Sequence, residues 1–252
     1  MNIIIPMAGR GTRLRPHTLV TPKPLVNIAG KPIVEWLVKD LIAICPEKVE
    51  NIGFIIGDFG TAVEQQLLAI ADSLGAKGHI FHQEVALGTA HAILCAKDLL
   101  QGKTIVAFAD TLFRCNQTID TTKDGVIFVQ KVADPKAFGV VKLSSDGYIT
   151  DFVEKPQTFV SDLAIIGIYY FKDGAYLNSE LQYLIDNEIK EKGEYQLTNA
   201  MENMKNKGSQ FFPGEMQEWL DCGNKQATVY TNQRMLNIKK DELQIPATIN
   251  NV

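Results

Sequence analysis

Short apolar runs alternate with longer amphipathic runs through the first half of the chain. Asn2 to Pro6 is isoleucine-rich and stops at a segment of Gly and Arg, which predicts a buried strand that leads into a loop. Further strands are predicted over 51–56, 79–83 and 104–110, and helices over 33–44, 61–75 and 87–100. In the intervening segment 15–31, prolines exclude a regular helix. The alternation predicts a parallel sheet with helical crossovers.

From Gly125 the pattern becomes richer in strands. Strand-like runs over 125–132, 138–143, 148–155 and 164–171 are separated by short turns with Asp-Gly or Pro. Helices are predicted over 173–189 and 196–208, then a strand near 209–215, the segment 218–223 and a last helix from Asn224. We expect one α/β domain over 1–252, with a Rossmann-like, mixed and mainly parallel sheet flanked by helices. Its parts are a half up to about 124, a strand-rich half over about 125–237 and a polar tail over 238–252.

Composition narrows the functional classes. The net charge is −4 and no basic stripe is present, so we expect no nucleic-acid partner. The four cysteines lie far apart, without the close pairs of a zinc or redox motif, and are expected to be reduced thiols. No segment reaches the roughly 20 apolar residues that span a bilayer, and the start lacks the features of a signal peptide. The expected location is therefore the cytoplasm, with no membrane partner.

The segment after the first strand has the composition of an anion-binding loop. Gly9-Arg10-Gly11-Thr12-Arg13 combines glycines, whose backbone amides can approach phosphate oxygens closely, with positive charge. Arg15 and Lys23 add two more cations nearby. In open parallel sheets, ligands bind at the carboxyl ends of strands, which is where this loop lies. It is not a Walker A motif, and a short Gly-x-Gly alone also fits an ordinary tight turn.

The residues around the loop supply a longer pattern. The stretch MAGRGTRLRPHTLVTPKPL closely resembles GxGTRLxPxTxxxPKPL, the signature of the sugar-1-phosphate nucleotidyltransferases, and glucose-1-phosphate thymidylyl- and uridylyltransferases in particular. The resemblance extends to about Ala227. It implies a nucleotide-binding first half and a sugar-phosphate-binding second half. It also implies nucleotide contacts at Ala8, Gly9, Gly11, Thr12, Arg13 and Lys23. Ala8 stands where many members have glycine, and uridylyl-transferring branches often carry alanine there.

The segment Gln83 to Ala90 resembles the family's base-reading segment. It links a predicted strand end to a predicted helix start. A glutamine amide offers a donor and an acceptor, so with a backbone N–H at Gly88 it can complement the polar edge of uracil or thymine. The resemblance implies nucleotide-binding roles for Gln83, Gly88 and Thr89. An ordinary strand-to-helix turn with Thr89 near the helix start is the alternative.

Two aspartates match the family's metal-binding positions. Asp110 is predicted to end the strand over 104–110, and Asp221 ends the segment EWLD. Mg²⁺ takes a few carboxylates together with phosphate oxygens, so two aspartates from distant segments suffice. Each aspartate alone also fits a turn. Ala109-Asp110-Thr111 replaces the family's frequent Gly-Asp-Asn, which leaves the detailed placement of metal or sugar open.

The second half carries the resemblance to a sugar-phosphate site. Glu154-Lys155-Pro156 matches the family's EKP motif, which implies that Glu154 binds sugar hydroxyls and Lys155 the sugar phosphate. Gly139 and Gly167 resemble the family's backbone contacts to the sugar. Taken alone, EKP is an exposed turn, and glycines within strands usually mark bulges.

The implied reaction joins a nucleoside triphosphate, with UTP or dTTP favoured, to a sugar 1-phosphate, with glucose 1-phosphate favoured. The products are an NDP-sugar and pyrophosphate. Mg²⁺ is the expected cofactor, and the expected catalytic residues are Arg13, Lys23, Asp110, Lys155 and Asp221. The alternatives are a non-catalytic nucleotide or sugar-phosphate sensor of the same fold and, less favoured, a dinucleotide-dependent oxidoreductase. The sequence leaves open GTP or CTP as donor, the oligomeric state and a further C-terminal domain.

Overall fold

The computed structural model of the protein describes residues 1–9 and 11–244, so Arg10 and residues 245–252 of the predicted tail lie outside the described residues. The helices are α1 (Ile33–Ile44), α2 (Thr61–Ser73), α3 (Thr89–Leu94), α4 (Gly174–Asp186), α5 (Leu197–Asn206) and α6 (Lys225–Ile238). The strands are β1 (Asn2–Pro6), β2 (Asn27–Ile28), β3 (Lys31–Pro32), β4 (Asn51–Ile56), β5 (Lys77–His82), β6 (Thr104–Ala107), β7 (Thr111–Arg114), β8 (Gly125–Lys131), β9 (Gly139–Leu143), β10 (Ile149–Glu154), β11 (Leu163–Phe171), β12 (Phe211–Gly214) and β13 (Glu218–Asp221).

One mixed sheet runs through both halves of the chain. Its main path has the order β10-β9-β11-β6-β1-β4-β5, and β8 joins β11 to β12 beside this path. Strands β6, β1, β4 and β5 are parallel to their neighbours in that order, as the alternation of strands and helices predicts. Strand β11 is antiparallel to β6 and to β8, and this strand joins the parallel half to the strand-rich half. The α/β class and the mixed sheet flanked by helices are confirmed.

Each face of the sheet carries its own apolar core because neighbouring side chains on a strand point to opposite faces. Ile3 and Ile5 belong to a core with residues of α1, α2 and α6, whereas Ile4 belongs to a second core with residues of α3, α4 and α5. Tyr170 lies in the first core and Tyr169 in the second, so both faces of β11 are covered. Apolar residues of both halves of the chain therefore meet in each core.

Two elements near the expected site differ from the prediction. The strand predicted over 104–110 ends at Ala107, and Asp110 lies in the turn that follows. The helix predicted over 87–100 is limited to Thr89–Leu94 and followed by a single 3₁₀ turn. It begins late because Gly88 has φ 113°, outside the helical region.

Strand β7 has no counterpart in the predicted elements. Its four residues pair with β13 in a separate two-stranded sheet, and this pairing depends on a segment about a hundred residues away.

Two parts of the predicted pattern remain, the proline-containing segment before α1 and the polar tail. The proline-containing segment forms isolated 3₁₀ turns, as expected for a segment that excludes regular helix. The first residues of the predicted polar tail pack on α1, where Lys239 forms an ion pair with Asp40 at 2.8 Å and Glu242 pairs with Lys39. Within the described part of the chain, none of the helices has the length and apolar character that a bilayer crossing requires.

Candidate active site

The loops after β1, β5 and β6 meet at one edge of the sheet because parallel strands end on the same side. They enclose most of a cavity of about 350 Å³. All nine residues predicted to bind nucleotide line this cavity, together with one predicted metal ligand: Ala8, Gly9, Gly11, Thr12, Arg13, Lys23, Gln83, Gly88, Thr89 and Asp110. Phe108, Ala109 and Glu194 also line it, and sequence reasoning did not assign them.

The glycine-rich loop needs glycine at Gly11 for two independent reasons. Its φ of 58° lies in the left-handed region, and an added Cβ would come within 2.9 Å of the Cβ of Lys23. The Thr18 hydroxyl donates to the Gly11 carbonyl at 2.7 Å, which fixes the loop on the following segment. Gly9 differs, because an added Cβ there would meet nothing within 4 Å. Gly11 therefore shapes the loop, while Gly9 leaves space at the cavity wall.

The loop also presents backbone donors. Among residues 1–9 and 11–244, the N–H groups of Ala8, Gly9 and Thr12 have no hydrogen-bond acceptor. All three residues line the cavity, and so does the cationic side chain of Arg13. Unpaired backbone N–H groups beside a guanidinium are suited to bind the oxygens of a phosphate.

The segment predicted to read the base, Gln83 to Ala90, is held in place by residues 195–197. Tyr195 donates to the Leu87 carbonyl at 2.8 Å and accepts from the Ala90 N–H at 2.9 Å. An added Cβ on Gly88 would lie 2.4 Å from the Tyr195 carbonyl oxygen, so the segment requires glycine there. Thr89 lines the cavity, but its hydroxyl is engaged by Gln196 at 3.1 Å and by the Leu197 N–H at 2.9 Å.

Gln83 differs in one respect from the expectation that it offers both a donor and an acceptor to a base. Its Nε2 already donates to the Gly88 carbonyl at 3.2 Å and contacts His91 Nδ1 at 3.1 Å. An amide NH₂ has two hydrogens, so both are engaged within the protein. The group that Gln83 retains for a ligand is its acceptor, Oε1.

The two predicted metal-binding aspartates are brought together by the pairing of β7 with β13. Asp221 pairs in register with Thr111, and the Cys222 N–H donates to the Asp110 carbonyl at 2.8 Å. Asp110 lies directly before β7, whereas Asp221 is the last residue of β13, so the ladder places both at the same end. Lys23 Nζ forms an ion pair with Asp110 Oδ2 at 2.9 Å.

The pKa of Asp221 shows how the charges of the site affect each other. Burial is the main cause that raises the pKa of Asp221 above its ordinary value, and the nearby Asp110 carboxylate raises it further. The Gly223 N–H, which donates to Asp221 Oδ1 at 2.7 Å, and the cations Lys23 and Arg13 act in the opposite direction. Two interacting carboxylates of this kind favour a cation between them.

The donor set fits Mg²⁺ bound together with phosphate, but not an all-protein metal cage. Within residues 1–9 and 11–244, no cluster of three or more His, Cys, Asp and Glu side chains could hold a metal ion. Mg²⁺ is commonly bound through one or two carboxylates plus substrate phosphates and water. The oxygen ligands that Asp110 and Asp221 provide are of the type this ion prefers.

The predicted sugar-phosphate residues form a second group on the antiparallel strands. Gly139 and Glu154 are direct partners in the β9–β10 ladder, and Glu154 Oε2 lies 3.0 Å from the point where a Cβ on Gly139 would be. The Lys155 N–H donates to the Phe138 carbonyl at 3.1 Å, and its Nζ pairs with Glu154 Oε1 at 3.3 Å. Lys155 has φ 42°, which is unusual for a residue with a side chain. The structure thus brings Gly139, Glu154 and Lys155 together.

Gly167 connects this group to the cavity. It has φ 85° and lies where the β8–β11 register shifts, between Ile165 and Tyr169. Its carbonyl accepts from the N–H of Phe108, a residue of the cavity wall, at 2.9 Å. The four predicted sugar contacts are outside the lining of the 350 Å³ cavity itself.

Tyr169 lies between the two groups. Burial raises its pKa, and the carboxylates of Glu154 and Asp110 raise it further, so both charges act on the same phenol. Its ring packs edge to face on Phe108, with the centroids 6.0 Å apart. Tyr169 was not assigned from the sequence, where it is one more apolar position of a strand.

The fold is an α/β sheet with a glycine-rich loop after β1 and two neighbouring carboxylates, Asp110 and Asp221, beside the same edge. Residues 2–237 match the family model described as Nucleotidyl transferase, and the chain belongs to this family. The predicted family resemblance is thus confirmed.

The names of similar proteins refer to different substrates. The chain is 30% identical over 239 residues to the bifunctional protein GlmU of Methanococcus maripaludis, covering 94% of this chain and 55% of the relative. It is 37% identical to a mannose-1-phosphate guanylyltransferase catalytic subunit beta of Drosophila pseudoobscura pseudoobscura, covering 67% and 47%. It is 30% identical to a glucose-1-phosphate thymidylyltransferase of Streptomyces antibioticus, covering 94% and 66%. The chain therefore spans about half to two thirds of the length of these relatives.

A solved structure confirms the fold. A UDP-glucose pyrophosphorylase complexed with UDP-glucose superposes with a TM-score of 0.76 at 20% identity, covering 94% of this chain and 98% of that one.

Proposed function

We propose that the protein transfers a nucleotidyl group from a nucleoside triphosphate to a sugar 1-phosphate and releases pyrophosphate. UTP or dTTP is the favoured donor and glucose 1-phosphate the favoured acceptor. The observation that carries the proposal is the convergence of nine nucleotide-binding candidates and Asp110 on one cavity, although they come from three separate segments. A sensor would need the nucleotide contacts, but not the carboxylate pair beside them.

The triphosphate would lie on the glycine-rich loop. The N–H groups of Ala8, Gly9 and Thr12, which have no acceptor among the described residues, would bind its oxygens. The Arg13 guanidinium would add a bidentate, charge-assisted contact. Lys23 can turn from Asp110 toward the phosphates, since its amine lies at the same cavity wall.

The main barrier to the reaction is repulsion between anions. The nucleophile, an oxygen of the sugar 1-phosphate, attacks the α-phosphorus in line with the leaving pyrophosphate. Two unit charges about 4 Å apart repel by on the order of 4 kcal/mol at an effective dielectric near 20, and these reactants bring several such pairs together. Because the nucleophile is already an anion, no general base is required. Cations that offset this repulsion and fix the attack geometry account for the catalysis.

Asp110 and Asp221 would hold Mg²⁺ through their carboxylate oxygens. The ion, when bound, neutralises charge on the phosphates and stabilises the charge that develops on transfer. The β7–β13 ladder holds the backbone of Asp221, and the Cys222 N–H holds the Asp110 carbonyl, so little reorganisation is needed to bring the two carboxylates together.

The acceptor would occupy the space next to the antiparallel strands. Lys155 would bind its phosphate, and Glu154 would accept hydrogen bonds from the sugar hydroxyls. The closeness of Glu154 to Gly139 indicates why a larger residue at 139 would displace that carboxylate. Gly167 would contribute a backbone contact to the sugar. Tyr169, near both Glu154 and Asp110, would form part of the wall between acceptor and metal.

The choice of base rests on the resemblance of Gln83 to Ala90 to the family's base-reading segment. The relatives' names include guanylyl and thymidylyl transfer, so the base is the finer part of the proposal. Uracil and thymine are favoured because an acceptor on the Gln83 amide and the N–H of Gly88 can complement their polar edge.

A matrix of substrates tests the proposed function. UTP, dTTP, GTP, CTP and ATP are each combined with glucose 1-phosphate or mannose 1-phosphate and Mg²⁺, and pyrophosphate release is measured. We expect the highest kcat/KM with UTP or dTTP and glucose 1-phosphate, and no release when either substrate is omitted. Tight nucleotide binding without release in any combination would favour the non-catalytic sensor. Binding of a nicotinamide dinucleotide in its place would favour the oxidoreductase.

A further inference from the structure

Gln83 is held in one orientation by two contacts that share a single nitrogen. Its Nε2 lies 3.2 Å from the Gly88 carbonyl oxygen and 3.1 Å from His91 Nδ1. A carbonyl oxygen cannot accept from the amide oxygen, so Gly88 defines which end of the amide faces it. His91 takes the second hydrogen of the same NH₂ group.

The three residues sit on rigid supports. The N–H of Gln83 donates to the Ile56 carbonyl at 2.8 Å, which extends the β4–β5 ladder by one residue. Gly88 lies between Leu87 and Ala90, which both hydrogen-bond to the Tyr195 backbone, at 2.8 and 2.9 Å. His91 belongs to the first turn of α3, where Ala92 also donates to the Gly88 carbonyl at 3.1 Å.

His91 accepts rather than donates in this contact. Burial lowers the pKa of His91 below its ordinary value, so the ring is neutral at pH 7. A neutral ring that accepts at Nδ1 carries its proton on Nε2. Gln83 and Gly88 line the cavity, whereas His91 is outside its lining and acts from behind Gln83.

We infer that His91 is a specificity-determining positioning residue, which restricts Gln83 to accepting a hydrogen bond from the base. This inference rests on the proposed function, in which uracil or thymine occupies the cavity. The ring N3–H is the donor on the polar edge of these two bases, and it would meet Gln83 Oε1. The Gly88 N–H, which has no acceptor among the described residues, would donate to the C4 carbonyl of the base, next to N3.

The arrangement selects against cytosine. The cytosine ring nitrogen N3 has no hydrogen and would place its lone pair against Gln83 Oε1, while the amino group would face the Gly88 N–H. Without an acceptor at position 91, the second N–H of Gln83 has no partner, and a rotation of the amide could turn it toward that lone pair while the first N–H stays on Gly88. Removing His91 should therefore weaken discrimination between UTP and CTP more than it weakens binding of the triphosphate.

Equilibrium binding of UTP, CTP and inorganic tripolyphosphate by calorimetry tests the inference with the full chain and two variants. His91→Leu removes the acceptor, whereas His91→Asn keeps one, since its Oδ1 can occupy the place of Nδ1. We expect the wild type to favour UTP over CTP. His91→Leu should lower that preference about 5- to 10-fold, the effect of mispairing one buried hydrogen bond. His91→Asn should restore most of it, and tripolyphosphate should bind all three proteins equally.

A wild-type preference that persists in His91→Leu would overturn the inference, as would a wild type that does not distinguish UTP from CTP. An equal loss of UTP, CTP and tripolyphosphate binding would show a merely structural role and would also overturn it. Each of these results can occur while the protein still releases pyrophosphate. Failure of the proposed function is instead seen as absence of that release in the wild type.

Discussion

Two groups of residues are proposed to bind substrate, one nucleotide-facing and one sugar-facing, and they are built in different ways. The nucleotide-facing group comes from loops after the parallel strands β1, β5 and β6, and these loops meet because parallel strands end at the same edge. The sugar-facing group lies on antiparallel strands, where the β9–β10 register makes Gly139 and Glu154 direct partners. The first arrangement depends on topology and the second on register.

Because of this difference, we expect the two groups to respond differently to substitutions. Loops at strand ends present backbone N–H groups, so the nucleotide-facing group depends on glycine at defined positions such as Gly11 and Gly88. In the sugar-facing group, the side chains of Glu154 and Lys155 are the proposed contacts, and their charges pair with each other at 3.3 Å. We therefore expect backbone changes to affect mainly nucleotide binding, and charge changes at Lys155 to affect mainly the acceptor.

Loss of Asp110 should have the largest effect, because this residue would serve both substrates through the metal. Asp110→Ala should lower kcat for pyrophosphate release by about 100- to 1,000-fold, the range for removing a preorganised charge-stabilising group. Circular dichroism and the melting temperature should show a folded protein. Asp162→Asn is the matched control, since it removes a carboxylate from the ion pair with the exposed Lys131 and should leave kcat unchanged. Full activity of Asp110→Ala would disprove its assignment.

Loss of Lys155 should weaken acceptor binding and leave nucleotide binding unchanged. Lys155→Met should raise the KM for the sugar 1-phosphate by about 10- to 100-fold, since a charge-assisted contact to phosphate is lost. The Kd for UTP, measured without acceptor, should stay at the wild-type value. Lys131→Met, a change on the same sheet at a side chain that is 75% exposed, serves as control. An increase in the Kd for UTP equal to that in the KM would show that the two groups are not separate.

Two alanine substitutions in the glycine-rich loop distinguish a glycine required by the backbone conformation, Gly11, from one that leaves room for a ligand, Gly9. Gly9→Ala should leave the melting temperature unchanged, because an added Cβ meets nothing within 4 Å, yet weaken UTP binding. Gly11→Ala should lower stability by about 1–3 kcal/mol, because it combines a left-handed φ with a close contact to Lys23. Chemical denaturation and calorimetry measure both properties. Equal stability of the two variants would contradict the geometric distinction.

The smallest effect is expected at Thr231, a fully buried residue of α6 whose hydroxyl donates to the Asp221 carbonyl at 2.7 Å. Thr231→Val keeps the shape and removes the donor, which should destabilise the protein by about 1–2 kcal/mol. It should also raise the Mg²⁺ concentration for half-maximal activity a few-fold. Thr231→Ser, which keeps the hydroxyl, should behave like the wild type. If Thr231→Ser is as defective as Thr231→Val, packing of the methyl group, and not the hydrogen bond, positions Asp221.

The sequence predicts the four parallel strands and the helices between them, although β6 and α3 are shorter than predicted. The apolar run of β1 and the amphipathic pattern of α1 both give the observed bounds, because burial on one or both faces is visible in the spacing of apolar residues. The convergence of Gly9, Gln83 and Asp110 follows from the rule that parallel strands end together.

Other features depend on tertiary contacts that the local sequence does not contain. The late start of α3 results from the close packing of Gly88 on Tyr195, about a hundred residues away in the chain. The pairing of β7 with β13 is equally distant, and the prediction therefore missed β7. The sequence assigns no role to His91 or Tyr169, because only the fold reveals their neighbours Gln83 and Glu154.

The central claim is that this chain joins a nucleotide to a sugar phosphate at the α-phosphorus. Phosphorus NMR of the wild-type protein with UTP, glucose 1-phosphate and Mg²⁺ tests it directly, because every phosphorus-containing product is observed at once. We predict that pyrophosphate and a nucleoside diphosphate sugar appear in equal amounts, and only when both substrates are present. Release of inorganic phosphate, formation of UDP alone, or unchanged spectra from a protein that binds UTP would contradict the account.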